Sequence, residues 1–328
     1  MTKKFALLVG NGFTLDFSIP LGLHSSFPLR NFNSLEIQYD TDFIDHLPNI
    51  KSDLFTSDLN DFEAIKKYVD SFRDIEEDYN LQLELKNSES MIDSKYDLAK
   101  ERHIEIRRFL AMVYSVFQLQ IEKHDMSNWK WVNWLKNHNS NLSFAISFNY
   151  DLVLENALHL AGSSFYRVGT NESNSFVDSL RVPLIKPHGS IDFDIPDFIL
   201  GGNYDPWNTF FSLNDAQMVQ VISKTKWLEP RLEADIISPS LHNIQQRLSW
   251  VRKMFNLYQN ISSQLDSLVI IGCSYWDVDR PEIDFFLRNL NRRTKIYVID
   301  PFPNVELKRK IQSFGLSYRE ANNSGVPW

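Results

Sequence analysis

Five short, mainly apolar runs punctuate the chain, at residues 5–9 (FALLV), 143–147 (SFAIS), 180–185 (LRVPLI), 268–271 (LVII) and 295–299 (KIYVI), each followed by polar or turn-forming residues. Apolar side chains at successive rather than alternate positions predict strands buried on both faces, as in a parallel sheet covered by helices. After the first run, GNGFTLDFSIP supplies glycines where a strand turns into a helix. Between the first and second runs the period changes. Phe62, Ile65, Val69 and Phe72 share one helix face, and Tyr96, Ala99, His103, Ile106, Leu110, Val113 and Phe117 recur three and four apart. The second set predicts a long amphipathic helix packed on the sheet or on a neighbouring helix, with a self-association seam as the alternative. Residues 73–95 are acidic and polar with weak periodicity, and read as solvated helix or mobile connection.

Residues 129–134 (WKWVNW) hold three tryptophans with Lys130 among them and Lys136 beside them. Packing in a core or interface is favoured over base stacking, which needs more positive charge. From 192 to about 243 the strand pattern lapses, with Gly201, Gly202 and several prolines marking loops, and 245–265 reads as a helix leading into LVII. There is no internal repeat. This layout predicts the α/β class: a doubly wound, Rossmann-like parallel sheet in one domain spanning 1–328, with a helical insertion at about 45–140 and a loop-rich insertion at about 192–243.

Composition narrows the function classes. With 34 Lys+Arg against 42 Asp+Glu, a formal charge of −8, the chain offers no broad footprint for a phosphate backbone, so direct nucleic-acid binding is not expected. A single cysteine excludes an intramolecular disulfide and any cysteine-rich zinc module, and fits a reducing cytoplasm. The longest apolar run, 109–117, is too short to cross a bilayer, and the N-terminal apolar stretch breaks at Gly10, so neither membrane insertion nor export is expected.

Ligands of doubly wound sheets bind beyond the carboxyl ends of the strands, which makes the residues just after each apolar run the informative ones. Gly10, Asn11 and Gly12 follow the first run; glycines there let backbone amides approach a phosphate at a helix N-terminus, or simply make a turn. Asn149 and Asp151 follow the second, either as helix caps or as groups that orient a water or ribose hydroxyl and accept from an amide. Of eight histidines, only His188 sits between a strand and a glycine, and none shows metal-ligand spacing, so no metal is predicted. After the fourth run, Gly272 and Ser274 are candidates for a phosphate or ribose, Cys273 reads as a buried small hydrophobe, and Asp279 with Glu282 reads as a helix cap with its capping-box acid. Asp300 closes the fifth run, either on ribose hydroxyls or as the turn former before Pro301.

In this order, GNGFTLDFSIP, SFNYDLVLENAL, PLIKPHGSID, LVIIGCSYWDVD and YVID resemble the sirtuin superfamily, specifically the bacterial sirtuin-like NAD-hydrolysing proteins of anti-phage defence. GNGF and HGS are also similar to the abortive-infection AbiH family. The resemblance implies a sirtuin-type fold, with Asn149 and His188 as the catalytic pair and Gly10, Asn11 and Gly12 lining the NAD+ phosphates. It further implies Asp151 on the nicotinamide carboxamide, Gly272 and Ser274 on the adenosine side, and Asp300 on its ribose. The four zinc-binding cysteines of deacylating sirtuins have no counterpart, so the implied activity is hydrolysis of NAD+ to nicotinamide and ADP-ribose, in which Asn149 positions water and His188 takes its proton with a near-neutral pKa. A cytoplasmic homo-oligomer is expected, and because unregulated NAD+ hydrolysis would harm the host cell, its activity is expected to be restrained until a defence partner, such as an ATPase or a phage-derived trigger, switches it on. A sensor or scaffold that binds NAD+ or ADP-ribose without turnover, and a protein deacylase, are the alternatives.

Overall fold

In the computed structural model the described residues are 3–23, 47–49, 61–87, 93–173, 180–194, 218–229, 236–238, 248–321 and 325–328, without the side chains of 61–69, 87 and 93. The apolar run at 5–9 forms β1 (Phe5–Val9), buried at every position. It lies at the centre of a seven-stranded sheet with β2 (Leu142–Ser147), β3 (Phe165–Arg167), β4 (Val182–Ile185), β7 (Ser267–Ile271), β8 (Lys295–Ile299) and β9 (Ser317–Glu320), in the order β3-β4-β2-β1-β7-β8-β9. Every neighbouring pair in this sheet is parallel.

The two-residue alternation of a strand explains why unbroken apolar runs are needed. Phe5, Leu7 and Val9 point into one hydrophobic cluster, whereas Ala6 and Leu8 point into the other. The first cluster takes up α1 (Asn11–Ser18), α2 (Asp61–Asn87), α3 (Asp93–Ile121), α4 (Lys130–His138) and α5 (Val153–Leu160); the second takes up α6 (Ser249–Ser262), α7 (Arg280–Arg288) and α8 (Val305–Ser313). The sheet is thus covered by helices on both faces, the Rossmann-like arrangement. The chain winds outward from β1 to β2 and β4 on one side and to β7, β8 and β9 on the other, so the topological switch lies between β1 and β7.

The long helical stripe is realised in α3, where Ile106, Leu110, Val113 and Phe117 are fully buried. Helix α2 continues through Asn87, so the first part of 73–95 takes the helical reading and not that of a mobile connection, although Ile75, Glu76 and Tyr79 are buried and the helix is packed on that side. Trp131 and Trp134 are core residues; Trp134 stacks edge-on against Phe5 and Trp328 with ring centroids 5.1 and 5.2 Å apart.

Three expectations change. The run at 180–185 pairs only from Val182, since Leu180 stands in solvent. The edge strands β3 and β9 were not foreseen, because strands of three or four residues with partly exposed positions lack the doubly buried pattern. The stretch after 192 is not strandless: β5 (Phe193–Asp194) and β6 (Gln220–Val221) form a small antiparallel pair. Gly201 and Gly202, the side chains of Phe62, Ile65 and Val69, and the start of the helix expected from 245 lie outside the described residues. No helix among the described residues is long and apolar enough to cross a membrane.

Candidate functional site

At the switch point the loops after β1 and β7 meet backbone to backbone. The Gly10 amide donates to Ile271 O (3.0 Å), the Gly12 amide to Gly272 O (2.9 Å) and the Gly272 amide to Ile299 O (3.1 Å). Gly272 has φ +60°, and a Cβ there would lie 2.3 Å from Gly12 Cα; a Cβ on Gly12 would lie 2.5 Å from Gly272 Cα. Glycine is required at both positions to let the two chains cross. Of the first amides of α1, those of Gly12 and Phe13 are already engaged, by Gly272 O and by Gly10 O (2.9 Å).

The loop after β2 brings Asn149 onto this crossing. Its Nδ2 donates to Gly10 O and to Thr14 Oγ1, both at 3.0 Å. Thr14 Oγ1 in turn donates to Asp151 Oδ2 (2.9 Å), and an ionised carboxylate can only accept, so the threonine must accept from the Asn149 amide. The relay therefore fixes which way the Asn149 amide faces. Asn149 Oδ1 is left buried and without a hydrogen-bond partner among the described residues, an arrangement that is costly unless a donor arrives from elsewhere.

Asp151 is buried, with Oδ1 accepting from the Val153 amide (3.1 Å) in the first turn of α5. Burial pushes its carboxyl up to about 6, against the pull of Lys186, the Val153 amide and the Thr14 hydroxyl. Lys186, fully buried, donates to Asp151 O (2.6 Å) and to Glu155 (2.9 Å), and Arg167 pairs with Asp192 and Glu172 at 2.8 Å each. These internal pairs set the floor on which the SFNYD and KPHGS loops rest. The helical insertion buttresses the same loops: Gln118 Oε1 of α3 accepts from the Leu152 amide (2.9 Å), and Tyr114 meets Tyr150 edge-on.

His188 follows β4. Its ring lies flat on Phe148, the neighbour of Asn149, with centroids 4.8 Å apart and planes at 12°. The two candidate residues thus come from adjacent parallel strands, but their side chains are held from different sides: Asn149 by Gly10 and Thr14, His188 by Glu282 of α7, whose Oε2 lies 2.5 Å from His188 Nε2. The segment 236–238 ties this part together, since Ile237 N donates to His188 O (2.8 Å) and Tyr150 Oη donates to Ile237 O (2.6 Å).

The near-neutral histidine expected from the sequence is corrected here. Burial alone would lower its pKa, but the Glu282 carboxylate, its hydrogen bond, Asp279 and a hydrogen bond with the Phe148 backbone outweigh that and raise it to about 8. A raised histidine contributes stability that is complete below its unfolded value and disappears as pH rises through the folded one. Unfolding free energy should therefore drop by about 2 kcal/mol between about pH 6.5 and pH 9. By then Asp151 and Asp279, both raised to about 6 chiefly by burial, have titrated. Urea titrations across this range measure the drop; a curve as steep in His188→Gln as in the parent would show that another group causes it.

Glu282 was read as a capping-box acid, and this too is corrected. Asp279 occupies the N-cap of α7 but makes no side-chain capping bond, and Glu282 faces His188 instead. Thr14 and Lys186 were also missed as members of the site. Of the remaining candidates, Ser274 is exposed and its carbonyl accepts from Asn304 Nδ2 (3.0 Å), while Asp300 Oδ1 accepts from the Phe302 amide (2.7 Å), a local turn around Pro301. Cys273 is buried, and burial pushes its thiol well up, with Asp279 and Asp300 adding to the effect. Among the described residues no group of three or more His, Cys, Asp or Glu side chains is placed to hold a metal ion.

What the arrangement offers chemically is an oriented amide oxygen, a buried imidazole–carboxylate pair and a glycine-tightened crossing, together at the carboxyl ends of the central strands. No protein-family model matches the chain, and no curated protein gives a significant sequence match.

Proposed function

We propose that the protein is a sirtuin-like NAD+ glycohydrolase that cleaves the nicotinamide–ribose bond. The observation that carries this reading is Asn149: its amide is clamped by Gly10 O and Thr14, and Oδ1 is buried without a partner among the described residues. Such an oxygen suits a ligand that brings hydrogen-bond donors, as the hydroxyls of the nicotinamide ribose or an attacking water do. The location at a parallel-sheet switch point is where dinucleotides bind in doubly wound folds.

In this reaction nicotinamide leaves with the electrons of the broken C–N bond, which neutralise its ring, so the leaving group needs no acid. Water supplies the new C–O bond, and its proton passes to the base. Asn149 orients the attacking water or the ribose hydroxyls, and His188 in its neutral form takes the proton. Gly10, Asn11 and Gly12 lie toward the phosphates, Gly272, Ser274 and Asp300 toward the adenosine, and Asp151 toward the carboxamide. In this reading the protein carries no zinc module and works in the cytoplasm as a homo-oligomeric effector of anti-phage defence, restrained until a partner or trigger releases it.

A second reading, binding of NAD+ or ADP-ribose without turnover, is favoured by one observation: the imidazole Nε2 is already taken by Glu282. Incubation with NAD+ at several protein concentrations, followed by chromatography, separates the two. Equimolar nicotinamide and ADP-ribose, absent with Asn149→Ala, is the expected result. Tight binding without products supports the second reading and defeats the first.

A further inference from the structure

The chain places an acidic group against the candidate base, and the arrangement around the pair says what that acid does. Glu282 is 1% exposed and reaches across 94 residues of sequence to His188, with Oε2 2.5 Å from Nε2. Its other oxygen, Oε1, is buried without a partner among the described residues. The imidazole is held from a second side as well, since Phe148 lies flat beneath it and the Phe148 backbone holds a hydrogen bond to it.

Among the described residues, the charged groups that act most on the ring share one sign. From α7 and the residue that precedes it come Glu282 and the half-buried Asp279. Two nearby cations are turned elsewhere: Lys186, on the same loop as His188, is bound to Glu155 and Asp151 O, and Arg280 is bound to Asp277, Glu306 and Tyr275 O; Arg107 of α3 acts on Glu76 and Tyr150. Phe148 of the β2 loop lies against the ring, and the titratable groups nearby on the β2 and β7 loops, Tyr150 and Cys273, are uncharged near neutrality because burial raises the phenol and the thiol. An imidazole in this setting is most stable as the cation, donating from its ring to the carboxylate.

We propose that Glu282 is the positioning residue of the site, which holds His188 as an imidazolium in the resting protein and thereby sets the pH at which the base becomes available. The inference rests on the NAD+-hydrolase reading for its catalytic meaning, but the pair itself is testable without turnover. Glu282→Gln keeps the shape and an acceptor oxygen and removes the charge, leaving burial to dominate His188.

The test follows the His188 ring resonances by NMR against pH in the full-length protein, assigned by their loss in His188→Gln, alongside nicotinamide release. In the parent the midpoint should lie near pH 8, as the geometry and charge count imply. In Glu282→Gln it should fall by more than about one pH unit, to the ordinary histidine value or lower. The ratio of kcat at about pH 8.5 to that at about pH 6.5 should then shrink from about 25-fold in the parent to about 2-fold in the variant, whatever the absolute rates. A parental midpoint at or below the ordinary value, or one unmoved by Glu282→Gln, overturns the proposal; the parental titration alone suffices if the variant does not fold. A midpoint that falls as expected while neither protein releases nicotinamide supports the pair and defeats the hydrolase reading.

Discussion

Asn149→Ala should release nicotinamide from NAD+ at least about 100-fold more slowly than the parent, because displacing an attacking group by about 1 Å has that effect. The relay from Asn149 Nδ2 through Thr14 to Asp151 makes this variant informative. It removes an oriented, buried acceptor that faces no donor among the described residues, and it orphans no buried charge. His188→Ala should lower the rate by about 10²- to 10⁴-fold, the usual worth of a general base. It has a second consequence, for it leaves the Glu282 carboxylate buried without its cation, a loss of roughly 3 kcal/mol in folding stability. Urea unfolding therefore accompanies the chromatographic assay for both variants. A folded Asn149→Ala protein that turns over NAD+ at the parental rate would remove Asn149 from the mechanism.

The second large effect concerns the crossing of the loops that follow β1 and β7. Gly272→Ala should lower the unfolding free energy by about 2–5 kcal/mol, the sum of a left-handed backbone strain of about 1–2 kcal/mol and an overpacking loss of about 1–3 kcal/mol. The new Cβ would sit 2.3 Å from Gly12 Cα, 2.5 Å from Gly12 C and 2.6 Å from Phe13 N, all backbone atoms that cannot rotate aside. Gly22→Ala is the matched control, since its φ of +73° carries the same backbone strain but nothing lies within 4 Å of the added methyl. It should lose only about 1–2 kcal/mol. Equal losses in the two variants, measured as urea midpoints, would mean that the crossing is not tight.

The glycines also show where local reading reaches its end. GNG after an apolar strand is correctly legible as a strand-to-helix turn, and α1 does begin at Asn11. What makes glycine indispensable at Gly12 is Gly272, 260 positions further along, and no window of sequence contains both. Asp151 was open to two readings, capping and ligand binding, and its carboxylate does accept from the Val153 amide at the start of α5 while also closing the relay from Asn149. Glu282 stood three residues after Asp279 in the pattern of a capping box, and that pattern was misleading because the helix starts without a side-chain cap and the acid is drawn to an imidazole instead. The Trp129–Trp134 stretch was read as packing for lack of positive charge, and Trp131 and Trp134 are in the core.

By itself, the amino-acid sequence determined the α/β class, the central strands and the long helical stripe of α3, because a strand buried on both faces and a helix buried on one must each repeat apolar residues at their own period. It also singled out Asn149 and His188 as candidates, since the ends of parallel strands are the places where side chains are free to serve a ligand. Only the tertiary structure decided which oxygen of Asn149 lacks a donor, which carboxylate meets His188 and why Gly12 and Gly272 admit no side chain. Each of these is a contact between segments more than ninety residues apart, fixed by how helices settle on the sheet, and a periodicity carries no information about what lies across such a contact.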